Sequence, residues 1–277
     1  MTTPRFDRDY ELVIGFDDKA LIVRPPMRIV FSADKSIAGT INKMRLQVFN
    51  LREDRRLKIV KDAEQVKYLP IQLKVGYKGK LEQIFRGSVH VAKNLAELPE
   101  IITDIECLDG GFDFLNSFSS RTINGGESYV DKLLEDMSNT RRGKIAPTDP
   151  LVRPKVAIGS TMDLIRSGLG KDEHAFIDDE QLNIVRSQNQ IIDMVVPIIS
   201  AKTGLINTPE REKQRLTCET MMNPEVKIGR RIKLESKFAP HLNGIYRTDT
   251  INYSGDTDGE RWGQIITAYL APEYQAI

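Results

Sequence analysis

The sequence predicts a β-rich α+β fold in which two β regions flank a small α/β unit. Apolar and polar residues alternate over much of residues 1–112 and again over residues 191–277, as in half-buried strands. Segments with helical spacing concentrate in residues 113–190. A faint internal repeat connects the two β regions. We therefore expect three units, at 1–112, 113–190 and 191–277.

Two strands of the first region are predicted from their period of two. Residues 43–49 and 71–77 each place apolar side chains on one face and polar side chains on the other. Residues 83–93 and 100–109 are predicted to form an antiparallel pair. The expected buried faces are Met44, Leu46 and Val48 in the first strand, and Ile71, Leu73, Val75 and Tyr77 in the second.

A short helix is predicted over residues 50–62. Asn50 is a favourable N-cap residue, and Glu53 follows at the spacing of a capping box. Leu57 and Val60 would form its apolar stripe. Pro70 is expected to open the strand that follows.

The middle unit is predicted to contain two short helices. The first follows Gly125-Gly126, and the second begins at Ser160, with Asp163 at capping-box spacing and Gly168 or Gly170 at its end. The apolar face of the first helix would comprise Val130, Leu133, Leu134 and Met137.

The same unit should also contain a β-hairpin and an irregular link. Residues 174–186 read as the hairpin, with Asp178-Asp179 at its turn. Residues 138–154 are polar and carry prolines, so we expect a link without regular pairing, and the most mobile internal stretch.

The internal repeat is one of pattern and not of identity. YLPIQLKVGY, FRGSVHVAKN and IITDIECLD run as strand, glycine-led strand, strand. VKIGRRIKLES, LNGIYRTDTIN and GQIITAYLA run in the same way near the C-terminus. Gly87 and Gly244 mark the two middle strands. If the repeat is real, the chain has two similar β modules.

Composition excludes several classes of protein. The 277 residues include 40 basic and 39 acidic side chains, a balance that argues against a nucleic-acid coat or a polybasic membrane protein. The N-terminal segment lacks a signal-peptide core, and the longest apolar stretch, 191–200, is too short to cross a bilayer. Cys107 and Cys218 are expected to be free, buried thiols in a protein made in a reducing compartment.

No catalytic, cofactor or metal site is predicted. The motifs of hydrolases, zinc proteases and phosphate-binding loops are missing from the sequence. The three histidines, His90, His174 and His241, fall in separate segments and read as structural or surface residues.

Acidic and basic clusters have ordinary explanations. Asp256, Asp258 and Gly259-Glu260 resemble the start of a calcium loop, but the twelfth position is Thr267, so an exposed hairpin tip is expected. Asp17-Asp18 and Asp178-Asp179 are interpreted as solvated turn residues. The arginine clusters are interpreted as solvated faces or as salt bridges across an assembly interface: Arg52/Arg55/Arg56, Arg141/Arg142 and Arg230/Arg231.

Several segments resemble phage tail baseplate hub proteins, a family that includes hubs of contractile tails and of related bacterial injection particles. The C-terminal segment carries the most specific resemblance, and FRGSV, IECLDGG and HAFIDDEQLNIV extend it upstream. Arg247 departs from the family, which often has a small apolar residue there. The matching C-terminal residues are Asn223, Pro224, Gly229, Asn243, Gly244, Tyr246, Gly255, Asp256, Gly259 and Trp262.

The resemblance implies two tail-tube-like β-barrels and a small α/β insert, assembled as a homotrimer with a pseudo-sixfold ring. Such a hub joins the hexameric tail tube, or a tube-initiating protein, to a trimeric central spike, and baseplate wedge or tape-measure proteins are further partners. Genome DNA would pass through the lumen only in transit, and no membrane or cofactor is involved. The virion protein would be assembled in the host cytoplasm.

Two other function classes stay open from the sequence. One is a tail-tip peptidoglycan hydrolase, although no hydrolase motif is present. The other is a small-ligand or DNA-binding β module, which the balanced charge disfavours. A hub of a bacterial injection particle is an alternative within the leading class.

Overall fold

The computed structural model describes residues 7–16, 19–38, 40–65, 67–146, 149–170, 173–186, 190–191, 196–270 and 275–276. Strands make up 52% of the chain and helices 15%, so the predicted β-rich class is confirmed. A sheet of 13 strands combines strands from both β regions. In the described part of the chain the pairings form an open path, and separate barrel modules remain a prediction.

The first region supplies seven strands and one helix. They are β1 (Arg8–Ile14), β2 (Leu21–Val23), β3 (Ile29–Ser36), β4 (Lys43–Phe49), α1 (Glu53–Glu64), β5 (Pro70–Tyr77), β6 (Lys80–Glu97) and β7 (Glu100–Leu108). The predicted buried faces of β4 and β5 are confirmed, Pro70 opens β5, and β6 pairs antiparallel with β7.

The helix in this region starts later than predicted. Arg52 is the N-cap of α1, without a side-chain cap. Asn50 instead adopts a φ of +55° and uses Oδ1 to accept the Ile101 N–H at 3.0 Å. The apolar contact also differs, because Ile59 is buried while Leu57 is 52% exposed. The capping-box prediction was wrong, because the Asn50 side chain binds the Ile101 backbone of β7 instead of the first turn of the helix.

The middle unit has its own small core. Its elements are α2 (Gly111–Asn116), β8 (Phe118–Ile123), α3 (Tyr129–Leu134), β9 (Arg141–Ile145), β10 (Lys155–Ser160), α4 (Thr161–Ser167), β11 (Glu173–Asp178), β12 (Gln181–Arg186) and β13 (Gln190–Ile191). The predicted apolar face of α3 is buried. Ser160 and Gly168 cap α4 as predicted, although Ser160 makes no side-chain cap hydrogen bond.

The hairpin prediction is confirmed, and the link prediction is partly wrong. Strands β11 and β12 pair antiparallel, with Asp178 opposite Gln181. Residues 138–154 contain β9, which pairs parallel with β12. The prolines of this segment follow β9 in sequence, so they do not prevent the strand from forming.

The last region contains β14 (Ile198–Ser200), β15 (Glu210–Glu212), β16 (Arg215–Met221), β17 (Arg231–Glu235), β18 (Gly244–Asp256), β19 (Trp262–Tyr269) and β20 (Gln275–Ala276). Short 3₁₀ helices occupy Ala201–Thr203 and Pro240–Leu242. One apolar core spans both β regions, and the insert has a second core. The β11–β12 hairpin contributes Phe176 and Val185 to the first and Ile177 and Ile184 to the second.

The two β regions share a strand order. The sheet runs β15-β16-β19-β18 in the last region and β3-β4-β7-β6 in the first, and the next neighbours are β17 beside β18 and β5 beside β6. The match ends there, because β1 is antiparallel to β5 whereas β14 is parallel to β17.

Hydrogen bonding repeats along with strand order. The β6–β7 ladder shifts register between Val89 and Val91, and the β18–β19 ladder shifts between Thr248 and Thr250. At each shift, a backbone N–H donates to the carbonyl of the residue just before the neighbouring strand. Val89 donates to the Leu69 carbonyl, before β5, at 2.9 Å, and Thr248 donates to the Arg230 carbonyl, before β17, at 2.8 Å. The two regions therefore repeat a pairing pattern down to single residues.

The glycines that suggested the repeat are not equivalent within it. Gly87 lies opposite Ile71, near the start of β5. Gly244 lies opposite Leu234, near the end of β17. In register, Tyr246 occupies the position that corresponds to Gly87, because it pairs with Ile232 as Gly87 pairs with Ile71. The order of strands therefore indicates the repeat correctly, whereas the two glycines do not occupy equivalent positions in it.

The two regions are connected directly by β18. Its first residues pair with β17, and its later residues pair with β3. Val30 lies opposite Asp256 and Ser36 opposite Thr250 in this antiparallel ladder. We refer to the β3–β18 ladder as the internal seam.

Candidate assembly interface

A broad polar surface covers the middle of the large sheet. Strands β3, β4, β16, β18 and β19 bury alternate side chains and expose the others, as a half-buried sheet requires. The exposed side lines a depression of about 1350 Å³. This polar face comprises Val30, Ser32, Arg45, Gln47, Glu219, Met221, Asn252, Ser254, Gly263 and Ile265.

The polar face and its neighbouring strands carry mixed charge with an acidic excess. Arg45 binds Asp104 through two hydrogen bonds of 3.1 and 2.9 Å, and Lys93 approaches the same carboxylate at 3.3 Å. By strand register, the acidic residues on this side include Asp34, Glu97, Glu100, Asp104, Glu106, Glu210, Glu212, Glu219 and Asp256, and the basic ones include Lys43, Arg45, Lys93, Arg215 and Arg247. Such a surface does not concentrate anions.

The β18–β19 hairpin tip is fixed to the first β region. Arg28 binds the Asp256 carboxylate at 3.2 and 3.0 Å and lies over the Phe49 ring. Arg8 donates to the Asp256 carbonyl at 2.8 Å and also to the Gly259 carbonyl. Partial burial would raise the pKa of Asp256, but the Arg28 hydrogen bonds hold it below its usual value. The predicted exposed tip is therefore anchored at its base.

A buried group of charges lies where the two β regions meet the insert. The Lys35 side chain is 1% exposed, and its Nζ lies 2.6 Å from Asp178 and 2.7 Å from Asp179. Lys227 approaches Asp179 at 3.7 Å. We call Lys35, Asp109, Asp178, Asp179 and Lys227 the charged junction. The prediction that Asp178-Asp179 is a solvated pair was wrong, because the turn inserts beside β3.

The turn that carries these acids is held by Asp109 at the end of β7. Asp179 and Glu180 have φ values of +53° and +60°, a conformation that costs free energy for residues with a Cβ. The Asp109 carboxylate accepts the N–H groups of both residues at 2.7 Å. Glu180 also accepts from Arg86 at 2.8 Å and from the Tyr68 hydroxyl.

Burial and pairing act against each other in the charged junction. Burial would lower the pKa of Lys35, but Asp178 and Asp179 raise it well above its usual value. Burial would raise the pKa of Asp179, but Lys35 and Lys227 lower it to about 2. Asp109 is fully buried, and burial raises its pKa well above the usual range. The Lys35–Asp179 pair is therefore ionised at neutral pH.

The carboxylates of Asp109, Asp178 and Asp179 could also be considered as a metal-binding set, since their oxygens lie within 4.8 Å of one another. The Lys35 ammonium contacts two of the three carboxylates. It thus supplies the positive charge that a cation would supply. No local sequence pattern indicates this group, because its members lie up to 192 positions apart, from Lys35 to Lys227.

The three histidines lie on different elements, and two of the arginine clusters make local ion pairs. His90, His174 and His241 are exposed on three different elements. Arg52 pairs with Asp54, and Arg142 pairs with Asp131. Asp17-Asp18 lies outside the described residues.

Two further sequence features are accounted for by burial. Arg247, the residue that departs from the family pattern, is 2% exposed and donates to Asp249 at 3.1 Å. Cys107 and Cys218 are free and buried, as predicted.

Among the described residues, no helix has both the length and the apolar character needed to cross a membrane.

The model of one protein family, Baseplate hub gp41, matches residues 11–260. No curated protein matches the sequence. Several solved structures share the fold at low sequence identity.

The 43 kDa tail protein of prophage MuSo2 from Shewanella oneidensis is 10% identical, with a TM-score of 0.62, covering 93% of this chain and 96% of the other. A tail protein from Neisseria meningitidis MC58 is 8% identical, with a TM-score of 0.66 and coverages of 97% and 98%. The E. coli c3393 protein, a component of the type VI secretion system with structural similarity to T4 tail proteins gp27 and gp5, is 11% identical, with a TM-score of 0.62 and coverages of 90% and 75%.

Proposed function

Because this chain belongs to the baseplate hub gp41 family, we propose that it is the structural hub that joins the hexameric tail tube to the trimeric central spike. The hub is a homotrimer, and the genome passes through its lumen. The tube or a tube-initiating protein binds one side, and the spike binds the other. The protein is assembled in the host cytoplasm and ends as part of the virion tail.

The observation that carries this proposal is the repeated pairing pattern within one chain. The strand order β3-β4-β7-β6-β5 corresponds to β15-β16-β19-β18-β17. Three chains with two similar modules each can present six similar modules in a ring. Such a ring contacts a sixfold tube with equivalent surfaces while it keeps the threefold symmetry that a spike requires. The modules are residues 1–112 and 191–277, with 113–190 as an insert.

The polar face fits the inner wall of this ring. It is concave, and its charges are mixed with an acidic excess. A lumen that passes DNA must avoid holding the phosphate backbone, and a basic lining would attract it. Arg45 and Lys93 are both engaged by Asp104, which reduces their attraction for phosphate.

We propose no enzymatic activity for the chain. The charged junction is a buried ion network without a nucleophile beside a base, and the family is a structural one. A turbidity assay on cell walls tests this: lysis by the purified protein, abolished by substitutions in one cleft, would support a tail-tip hydrolase instead. The likeness to a type VI secretion component favours a hub of an injection particle as the second candidate.

Electron microscopy of the intact particle tests the hub. Three copies of the chain at the junction of tube and spike are expected, and removal of the chain should leave tails that lack a spike. Six copies at the tail end, or a position remote from that junction, would refute the proposal. A particle with the same hub but no genome would favour the injection-particle alternative.

A further inference from the structure

The internal seam shows how one β module pairs with the other. Strand β3 of the first module lies antiparallel to the second half of β18. In this ladder Asp34 lies opposite Asn252 and Ser32 opposite Ser254. The seam extends the sheet from one module into the next without a loop or helix between them.

The repeat defines which strands could form the same seam elsewhere. Strand β15 corresponds to β3, because each is the edge strand of its module and pairs antiparallel with the strand that follows it. Glu212 pairs with Arg215 as Asp34 pairs with Lys43. Lys43 and Arg215 correspond because they are the first residues of β4 and β16 and lie opposite the ends of β7 and β19.

The second half of β6 corresponds to the second half of β18. Counted from the register shift, Lys93 is two residues after Val91, and Asn252 is two residues after Thr250. In β18 this half has a strand on each side, β19 and β3. In β6, among the described residues, the same half has one strand partner, β7. Along this half, β6 therefore lacks the second strand partner that β18 has, although helix α1 also packs against β6.

We propose that β15 of one copy pairs antiparallel with residues 91–97 of β6 in a second copy, in the register of the internal seam. Glu212 then lies opposite Lys93 of the second copy, and Glu210 lies opposite its Leu95. The inference rests on the proposed ring and deepens it, since it specifies the contact that closes the ring between copies.

Charge and exposure agree with this register. Glu210 and Glu212 are exposed on a three-residue edge strand, and the Lys93 side chain is 53% exposed. Opposite charges directly across a ladder stabilise the pair. Arg45 already binds both oxygens of Asp104, so Lys93 can turn toward Glu212 without leaving that carboxylate unpaired. A neighbouring strand would also cover an edge that otherwise invites non-specific pairing.

Disulfide trapping tests the register. Chains carrying K93C and E212C, on the background of the buried native thiols, are incorporated into tails, oxidised and run on a non-reducing gel. Covalent dimers and trimers are expected as the main species. D34C with N252C is the matched positive control, which should link within one chain and give monomers only. K93C with Glu235→Cys, an exposed position on β17, should give no link.

Charge exchange gives a second readout that does not depend on thiol geometry. K93E alone and E212K alone should each lower the yield of trimer measured by native mass spectrometry, and K93E with E212K should restore it. Tails that contain three copies but give no covalent dimer from K93C with E212C, or as much from the Glu235→Cys control, would overturn the pairing and leave the hub standing. Tails without the chain at the junction of tube and spike would overturn the hub itself.

Discussion

Replacing Lys35 by methionine should strongly destabilise the fold, because the substitution removes one side of a buried ion pair. The side chain is 1% exposed and contacts two carboxylates at 2.6 and 2.7 Å. Methionine fills a similar volume, so the main effect is electrostatic. Two aspartates would remain beside an apolar group with Lys227 as the nearest cation.

The magnitude follows from the exposure of the partners. Breaking a buried pair by removing one member costs about 3 to 5 kcal/mol. Asp178 and Asp179 keep 14% and 20% of their side-chain surface exposed, so water relieves part of the cost and the lower end, about 3 kcal/mol, is expected. With a urea m-value of about 3 kcal/mol/M, the unfolding midpoint would fall by about 1 M.

Urea unfolding followed by circular dichroism and by tryptophan fluorescence measures the shift. Arg142→Ala, which breaks the exposed pair with Asp131, is the control and should leave the midpoint unchanged. Combining Lys35→Met with Asp178→Asn and Asp179→Asn should recover part of the loss, because the two carboxylates left by Lys35 are then neutral, while Lys227 loses its Asp179 partner. A midpoint that does not move with Lys35→Met, or a triple variant no more stable than the single one, would refute the electrostatic explanation.

Three further outcomes are expected. The pKa of Asp179 is lowered to about 2, so the ionised carboxylate stabilises the fold at pH values above the pKa of an unfolded aspartate. This stabilisation is lost as the pH falls toward 2. The Asp179→Asn variant should therefore flatten this part of the acid unfolding curve. Burial raises the pKa of Cys218 to about 12 and also raises that of Cys107, so Ellman titration at pH 8 should detect two thiols in denaturant and almost none in the native protein; rapid native labelling would contradict the burial. Gly255→Ala would place a Cβ 2.5 Å from the Phe31 ring, whereas at Gly244 the nearest atom is at 3.7 Å, so the first should cost about 1–3 kcal/mol and the second much less; equal thermal shifts would contradict the packing argument.

The sheet was predictable because its signal is local. Alternation of apolar and polar residues identifies β4 and β5 directly, since the period of a strand is written in consecutive residues. The repeat was also visible as an order of strands. Neither signal reports register, which depends on how ladders pair across the sheet, and so Gly87 and Gly244 were matched wrongly.

The charged junction could not be predicted because its members meet only through the tertiary fold. Asp178-Asp179 has the sequence of a solvated turn, and nothing in adjacent residues indicates that Lys35 approaches it. Asn50 failed for a related reason, since its side chain serves the neighbouring Ile101 backbone rather than the helix. Residues 138–154 were expected to be irregular from composition, yet β9 finds a partner in β12, which lies further along the chain.

The internal seam also has a consequence for the order in which the chain folds during synthesis. Val30 pairs with Asp256, so the edge of β3 lacks this neighbour until the intervening residues have been synthesised. Pairing over such a separation is slow, and an exposed edge during that interval is a hazard for aggregation. The same delay makes the seam dependent on a full-length second region, because a chain that stops before β18 has no strand to pair with β3.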